Sequence, residues 1–263
     1  MAGSSLATTI SRISGDAERA LDDRVAVEEP LEIRLGFEGP DGREDRSVSI
    51  TMRTPGNDEE LALGFLYTEA IIHSADEVAL VKHCGDPAPD SGHRNVIRVE
   101  LESGVDVDFE RLQRHFYTTS SCGVCGKASL DALRTHGAAA LPSNSTRFSR
   151  EVLTGMPATL RASQSTFEET GGLHAAATFD ANGRLAMSRE DVGRHNAVDK
   201  VIGALLSSGS LPACELGLIV SGRASFELMQ KALMAGMPLL AAVSAPSSLA
   251  VQLAREFNVT LVG

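Results

Sequence analysis

The segment LGLIVSGRASFELMQKALMAGMPLLAAVSAPSSLAVQLAREFNVTLV, residues 216–262, alternates short apolar runs with longer amphipathic stretches. Apolar runs at 216–220, 239–243 and 259–262 predict strands, and apolar residues at helical spacing predict helices between them. Strands that alternate with helices indicate right-handed crossovers and a parallel sheet. Because the runs are almost continuously apolar, we expect these strands to be covered on both faces. The segment therefore predicts an α/β fold with a largely parallel sheet.

The sequence just before this segment extends the same domain. Residues 174–179 and 184–188 predict a hairpin that turns at Asn182-Gly183, and apolar residues over 198–205 predict the next helix. We place this larger α/β domain at residues 146–263.

The first part of the chain has a different organisation. Alternating strands around a helix over 57–72, which Asn57 is expected to cap, predict a small α+β domain at residues 25–115. Residues 1–24 are rich in Ser, Ala and polar groups and predict a flexible N-terminal tail. Residues 116–145 begin with small polar residues and end in a small-residue linker, which predicts a mobile loop between the two domains.

Composition excludes several classes of protein. The 263 residues carry a net charge of −11 and no Trp, so affinity for nucleic acid or for an anionic membrane surface is not expected. The four cysteines are too sparse for a disulfide scaffold. Since neither an apolar leader nor a stretch of about 18 apolar residues is found, we predict a soluble, cytoplasmic protein.

The first motif that could carry chemistry is SSCGVCGK, residues 120–127. Cys122 and Cys125 could share a metal, form a redox disulfide or pass a sulfur atom, and each use requires a thiolate. Lys127 and the neighbouring glycines favour that thiolate. A structural zinc site needs four ligands, which His83 and Cys84 could complete only at an unusual spacing.

The second motif is REDVGRHNAVDK, residues 189–200, at the start of a predicted helix. His195 and Asp199 are four residues apart and share a helix face, so Asp199 could hold the imidazole, or His195 could exchange protons with a ligand. The alternative is a solvated helix start with capping acids. His174, in a predicted strand, is interpreted as a packed histidine.

The third feature is a pair of strand-to-helix turns, at residues 221–225 and 244–248. In a parallel sheet both turns lie at the carboxyl edge, where open α/β sheets bind ligands. Hydroxyl groups and free amides at a helix start favour an anion, and Arg223 suits a phosphate. Ordinary capping by serine is the alternative interpretation.

Taken together, the motifs SSCGVCGK, TGGLHAAATF, REDVGRHNAVDKVIG, SGRASFELMQKA and AVSAPSSLAVQLA, in this order, resemble the formate dehydrogenase accessory sulfurtransferase family (FdhD). The early stretch TPGNDEELALGFLYTEAII is also similar to the family's pattern. The resemblance runs from about Val25 to the last residue. Family members continue beyond the final strand with a glycine-aromatic-x-arginine stretch, whereas this sequence stops at Gly263.

The resemblance implies a sulfurtransferase. Members take sulfur from a cysteine desulfurase as a cysteine persulfide, which implies that Cys122 is the carrier and Cys125 its partner. They pass the sulfur to the bis-molybdopterin guanine dinucleotide cofactor, with Mo or W, before its insertion into formate dehydrogenase. The family's larger domain is similar to the cytidine deaminase fold, and the resemblance also implies a homodimer. The zinc-binding motifs of deaminases are absent from this sequence, and no permanently bound metal is expected.

The cofactor is therefore expected at the helix starts of the larger domain. The candidate cofactor-binding residues are Arg194, His195, Lys200, Ser221, Gly222, Arg223, Ser225, Ser247 and Gly263. The alternative function is a non-catalytic chaperone that shelters the cofactor and docks it to the apoenzyme, in which case the thiols are incidental or bind metal.

Overall fold

A computed structural model describes residues 3–39, 42–107, 138–142 and 146–263. The strands are β1 (Ser5–Ser14), β2 (Ala17–Ala26), β3 (Glu29–Gly39), β4 (Gly42–Arg53), β5 (Val78–Cys84), β6 (Val96–Leu101), β7 (His174–Phe179), β8 (Leu185–Asp191), β9 (Gly217–Arg223), β10 (Leu239–Ser244) and β11 (Thr260–Val262). The α-helices are α1 (Asp58–Thr68), α2 (Arg150–Ala162), α3 (Ser165–Thr170), α4 (Arg194–Ser207), α5 (Phe226–Met234) and α6 (Ser248–Glu256), and Ala75–Glu77 form a 3₁₀ turn. The CxxC motif lies outside the described residues, and so do residues 108–114, for which the sequence predicts a second helix of the small domain.

The C-terminal sheet has the strand order β11-β10-β9-β7-β8. Strands β9, β10 and β11 are parallel, whereas β7 is antiparallel to both β8 and β9. The predicted α/β class is confirmed, but the sheet is mixed rather than largely parallel. Because β7 runs opposite to β9, its first residue, His174, lies at the same edge as the carboxyl ends of β9 and β10.

Both faces of this sheet are covered, as its apolar strands predict. Ala176, Leu218 and Leu240 pack against helices α4, α5 and α6 on one face. Ala177 and Ile219 point to the opposite face, where α2 contributes Met156 and Leu160. The alternation of side chains along each strand therefore divides its residues between two apolar cores.

The N-terminal unit is a second sheet, of order β4-β3-β6-β5, packed against α1. Helix α1 begins at Asp58 and ends at Thr68, earlier than the predicted end near Ile72. The predicted cap at its start is wrong, because Asn57 has a left-handed backbone (φ 57°) and its side chain makes no capping hydrogen bond. The adjoining Gly56 also has a positive φ of 112°, so a tight turn delivers the chain into the helix.

Residues 5–26 form an antiparallel hairpin, β1–β2, where the sequence predicts a flexible tail over 1–24. The hairpin turns at Gly15, which has a φ of 59°. Its base is held against α3 by Glu169, which accepts a hydrogen bond from Ser5 and pairs with Arg24. Ser and Ala dominate the composition and hide the strand pattern, which depends on a few apolar side chains such as Ile10.

Candidate functional site

The carboxyl edge of β9 and β10 gathers side chains from three elements. His174 begins β7, Ser221 and Gly222 end β9, and Arg194 begins α4. The Ser221 hydroxyl accepts a hydrogen bond from the Ala175 amide and lies 3.4 Å from His174 Nδ1. The structure therefore brings Ser221 together with a histidine that was interpreted from the sequence as packed.

Gly222 lies between His174 and Arg194 at this edge. A β-carbon at this position would lie 3.6 Å from His174 Nδ1 and 3.8 Å from the Cδ of Arg194. These are ordinary contact distances, so a methyl group would already touch both the imidazole and the aliphatic part of Arg194. The sequence-predicted residues Arg194, Ser221 and Gly222 thus lie in one group around His174.

The two histidines near Arg194, His174 and His195, are held neutral at pH 7. Burial, and then the charge of Arg194, lowers the pKa of His174. Burial also lowers the pKa of His195 to about 4, with further contributions from Arg194 and Lys231. The Nε2 atom of His195 is buried and has no hydrogen-bond partner within the described part of the chain. Arg194 is therefore the cation that this group offers to an anionic ligand.

Glu227, in the first turn of α5, adds a negative charge to the same region. Burial raises the pKa of Glu227, but the Ser225 side chain and the charges of His195 and Arg194 outweigh that effect and lower it. The carboxylate is therefore ionised at pH 7 and balances part of the Arg194 charge. Ser225 itself precedes α5 and makes no capping hydrogen bond with its side chain.

The predicted contact between His195 and Asp199 is not observed. The Asp199 carboxylate instead accepts hydrogen bonds from Lys231 Nζ at 2.8 Å and from Thr68 at 3.0 Å. Burial raises the pKa of Asp199, while Lys231 opposes the shift. Asp199 therefore links α4 to α5 and to α1, and it does not orient the imidazole.

Lys200, one of the candidate cofactor-binding residues, does not lie in the group around His174. Its side chain is 2% exposed and lies 2.7 Å from Asp191. The ammonium also donates to the Thr54 carbonyl oxygen at 2.9 Å. The opposite carboxylate oxygen of Asp191 accepts from the Gly193 amide and from Asn196. Lys200 is therefore held in a buried network that joins the two sheets. Its partners Asp191 and Thr54 both lie away from solvent.

The remaining predicted residues are distributed along the same edge. Arg223 is exposed at the end of β9 and pairs in register with Ser244. The Ser247 hydroxyl accepts from the Ala250 amide at 3.2 Å, which is the ordinary capping considered as an alternative. A β-carbon on Gly263 would lie 2.8 Å from Pro246 Cδ, so the end of the chain packs close to the second turn.

A cavity of about 450 Å³ opens beside His174 and Ser221, on the α2 side of the sheet. Its other walls include Arg161 and Leu160 from α2, Gln164, Phe167 from α3 and the exposed Val243 of β10. The wall residues of α2 and α3 were not predicted from the sequence. They belong to no recognisable motif, and only the packing of α2 and α3 brings them to the strand ends.

The predicted carrier cysteines, Cys122 and Cys125, lie outside the described residues. Cys84 and Cys214 are described, and neither is in a disulfide. Within residues 3–39, 42–107, 138–142 and 146–263, no three His, Cys, Asp or Glu side chains cluster in a way that could hold a metal ion. Over the same ranges, no helix combines the length and the apolar character that crossing a bilayer requires.

Comparison with known proteins gives a consistent family. The sequence profile of the FdhD/NarQ family matches residues 26–263. The chain is 51% identical over 256 residues to "Sulfur carrier protein FdhD" of Streptomyces avermitilis, with 97% of this chain and 88% of that protein covered. It is 47% identical over 257 residues to the protein of the same name from Mycobacterium tuberculosis, with 96% and 90% covered.

A solved structure has the same fold. The chain resembles a protein from Desulfotalea psychrophila, assigned as a formate dehydrogenase accessory protein, with a TM-score of 0.73 and 25% identity. The match covers 98% of this chain and 92% of that one, so it includes both sheets and the hairpin.

Proposed function

Since the chain belongs to the FdhD/NarQ family, we propose that it is a sulfur carrier that supports formate dehydrogenase. The observation that carries the proposal is the extent of the match, which spans residues 26–263 and therefore the CxxC motif. Relatives of about half identity carry the name of a sulfur carrier. We assign the transferred sulfur to Cys122 and the assisting thiol to Cys125.

The loading step is a thiol–persulfide exchange with a cysteine desulfurase. The thiolate of Cys122 attacks the outer sulfur of the donor's persulfide, the donor's sulfur–sulfur bond breaks, and the donor cysteine leaves as a thiolate. Cys122 then holds a persulfide, and neither an oxidant nor a reductant is consumed. Lys127 and the glycine neighbours in the sequence favour the thiolate form of Cys122.

The delivery step uses the second thiol. The Cys125 thiolate attacks the inner sulfur of the persulfide, forms a disulfide with Cys122 and releases the outer sulfur as hydrosulfide. The Cys125 sulfur is oxidised to the disulfide level as the outer sulfur is reduced to hydrosulfide, so the step balances. In the alternative route, Cys125 relays the outer sulfur atom directly.

The acceptor that we propose is the bis-molybdopterin guanine dinucleotide cofactor, with Mo or W, bound as a substrate. Its diphosphate groups are anionic, whereas the chain as a whole carries a charge of −11. Binding therefore needs local positive charge, which Arg194 and Arg223 supply at the carboxyl edge. Gly222 has no side chain between Arg194 and His174, so its backbone is accessible to both of them.

The proposal includes three partners and a compartment. These are a cysteine desulfurase as donor, the formate dehydrogenase apoenzyme as recipient and a second copy of the chain in a homodimer. Transfer by an exposed persulfide requires a reducing compartment, which favours the cytoplasm.

The experiment that tests the proposal is complementation of a host that lacks its own family member. We expect wild type to restore formate dehydrogenase activity and Cys122→Ala to restore none. Cys214→Ser is the matched control, because Cys214 is exposed and free. Full activity from the Cys122→Ser, Cys125→Ser double variant would contradict the sulfur-carrier function and support the alternative function, a cofactor chaperone.

A further inference from the structure

The N-terminal unit has a cavity of its own, of about 400 Å³, at the start of helix α1. Its walls come from the turn between β4 and α1, from β5 and from the loop that precedes β6. The volume lies within the range of small-molecule pockets. The turn belongs to the stretch TPGNDEELALGFLYTEAII, to which the proposed function assigns no role.

The walls of this cavity carry more positive than negative charge. Arg53, His83, His93 and Arg94 line it, and Asp58 is the one acidic residue among its described lining. Asp58 is 7% exposed, and its two carboxylate oxygens each accept a hydrogen bond from Arg53 at 3.0 Å. Because this buried pair cancels its own charge, Arg94 gives the walls a net positive charge.

Three further acids lie close to the walls without lining the cavity. Glu29 accepts a hydrogen bond from Asn95 at 2.9 Å, and Glu60 accepts one from Arg189 at 2.7 Å. Glu59, in the first turn of α1, is exposed, so water and salt screen its charge. An anion in the cavity would therefore meet the basic side chains of the walls before it meets these carboxylates.

Several hydrogen-bond donors around the cavity have spare capacity. His83 Nε2 lies 3.5 Å from Asp58, at the outer limit of a hydrogen bond, and its buried Nδ1 has no partner in the described part of the chain. One terminal nitrogen of Arg94 donates to the Gly85 carbonyl oxygen, which leaves other N–H groups of the guanidinium for a ligand. The Asn57 side chain does not cap α1, so the amides of the first turn are also donors.

We propose that this cavity binds a small molecule that carries a phosphate group. The oxygens of a phosphate accept hydrogen bonds from several directions, and a guanidinium such as Arg94 can hold two of them at once. The start of α1 adds amide donors and the positive end of a helix dipole. The inference is independent of the proposed function, because it uses neither the carboxyl edge of the C-terminal sheet nor the CxxC motif.

NMR of the imidazole C–H groups in the full chain tests the proposal. The protein is titrated with inorganic phosphate and with glycerol 3-phosphate at constant ionic strength. We expect the signals of His83 and His93 to shift saturably, with a Kd on the order of 1 mM or below, and the signal of the exposed His73 to stay in place. Glycerol alone should cause no shift, because it lacks the anion. Tighter binding of glycerol 3-phosphate would identify a phosphate ester as the ligand, and tighter binding of inorganic phosphate would identify the free ion.

Variants separate the charge of Arg94 from its bond to Gly85. Arg94→Gln should weaken phosphate binding at least about tenfold, whereas Arg94→Lys keeps the charge and should retain more of the affinity. Arg12→Gln, at an exposed arginine of β1, is the matched control and should bind like wild type. Thermal unfolding of each variant checks that the fold is retained.

Three results would overturn the inference. The first is wild type in which neither anion shifts the His83 and His93 signals saturably. The second is wild-type affinity in a folded Arg94→Gln protein. The third is a set of shifts confined to His174 and His195, which would place the anion at the carboxyl edge of the C-terminal sheet. Each of these results would leave the sulfur-carrier function in place, since that function depends on Cys122.

Discussion

Gly64 of α1 and Gly203 of α4 face each other where the two helices cross. A β-carbon on Gly64 would lie 1.8 Å from the Asp199 carbonyl oxygen, and one on Gly203 would lie 1.8 Å from that of Glu60. The helix backbones are therefore in direct contact. This contact joins the N-terminal sheet to the helix whose first turn carries Arg194 and His195.

Substitution at this crossing should separate the two units. Gly203→Ala is expected to destabilise the protein by about 1–3 kcal/mol, because the backbones must move apart. Gly155→Ala is the matched control, since Gly155 lies in a helix and a β-carbon there would have nothing within 4 Å. That control should stabilise by about 0.5–1 kcal/mol. Urea unfolding measures both, and equal effects would contradict the close crossing.

Lys200 should behave as a structural residue. Lys200→Met leaves the buried Asp191 carboxylate without its cation, so we expect a loss of about 3–5 kcal/mol in the free energy of unfolding. Arg46→Ala removes an exposed partner of Glu44 and should cost less than about 1 kcal/mol. A Lys200 variant with wild-type stability and weaker cofactor binding would instead restore its predicted role as a ligand contact.

The buried position of Lys200 could not be predicted from the sequence, and the reason is physical. Residues 189–200 are dense in charge, and a charged helix start has the same pattern whether its side chains face a ligand or a second sheet. The deciding partners, Thr54 and Thr68, are more than a hundred residues away in the chain. Only the tertiary structure shows that Asp199 and Lys200 point toward the N-terminal unit.

His195 should make stability depend on pH. Its pKa falls from 6.5 to about 4 on folding, so between these values the unfolded chain binds more protons at this residue. The contribution is therefore complete above pH 6.5 and is lost as the pH falls toward 4, by up to about 3 kcal/mol.

The contribution of His195 is isolated by comparison with His195→Gln. Asp199 titrates in both proteins, so its effect cancels in the difference between the two unfolding curves. We expect wild type to lose more stability than the variant between pH 6.5 and pH 4. Parallel curves over that window would show that the imidazole is not buried in its neutral form.

Arg194 should bind the anionic part of the ligand. Because both neighbouring histidines are neutral at pH 7, Arg194→Gln removes the main positive charge beside Gly222 and should weaken binding of guanosine diphosphate about tenfold. Arg255→Gln, on the exposed surface of α6, should have no effect beyond that of general charge. Raising the salt concentration should reduce the difference between the two variants.

Elements decided by local interactions were predictable from the sequence, whereas those decided by contacts between distant parts of the chain were not. The strands and helices after residue 216 were predictable because apolar periodicity is local and strong. The hairpin β1–β2 was not, since few apolar side chains mark it, and the direction of β7 depends on pairing with β9. The position of Ser221 and Gly222 at this edge was predictable from the turn that carries them, whereas Gln164 and Phe167 reach the neighbouring cavity only through packing.

In the proposed function Cys122 carries the transferred sulfur atom, and intact mass spectrometry is the most direct test of that role. Wild type, Cys122→Ala and Cys125→Ala are incubated with a cysteine desulfurase and cysteine, and the mass of each protein is measured before and after reduction. We expect a gain of one sulfur atom in wild type and in Cys125→Ala, reversed by reductant, and no gain in Cys122→Ala. Wild type that gains no sulfur beside an active desulfurase, or a Cys122→Ala protein that gains it fully, would contradict the account.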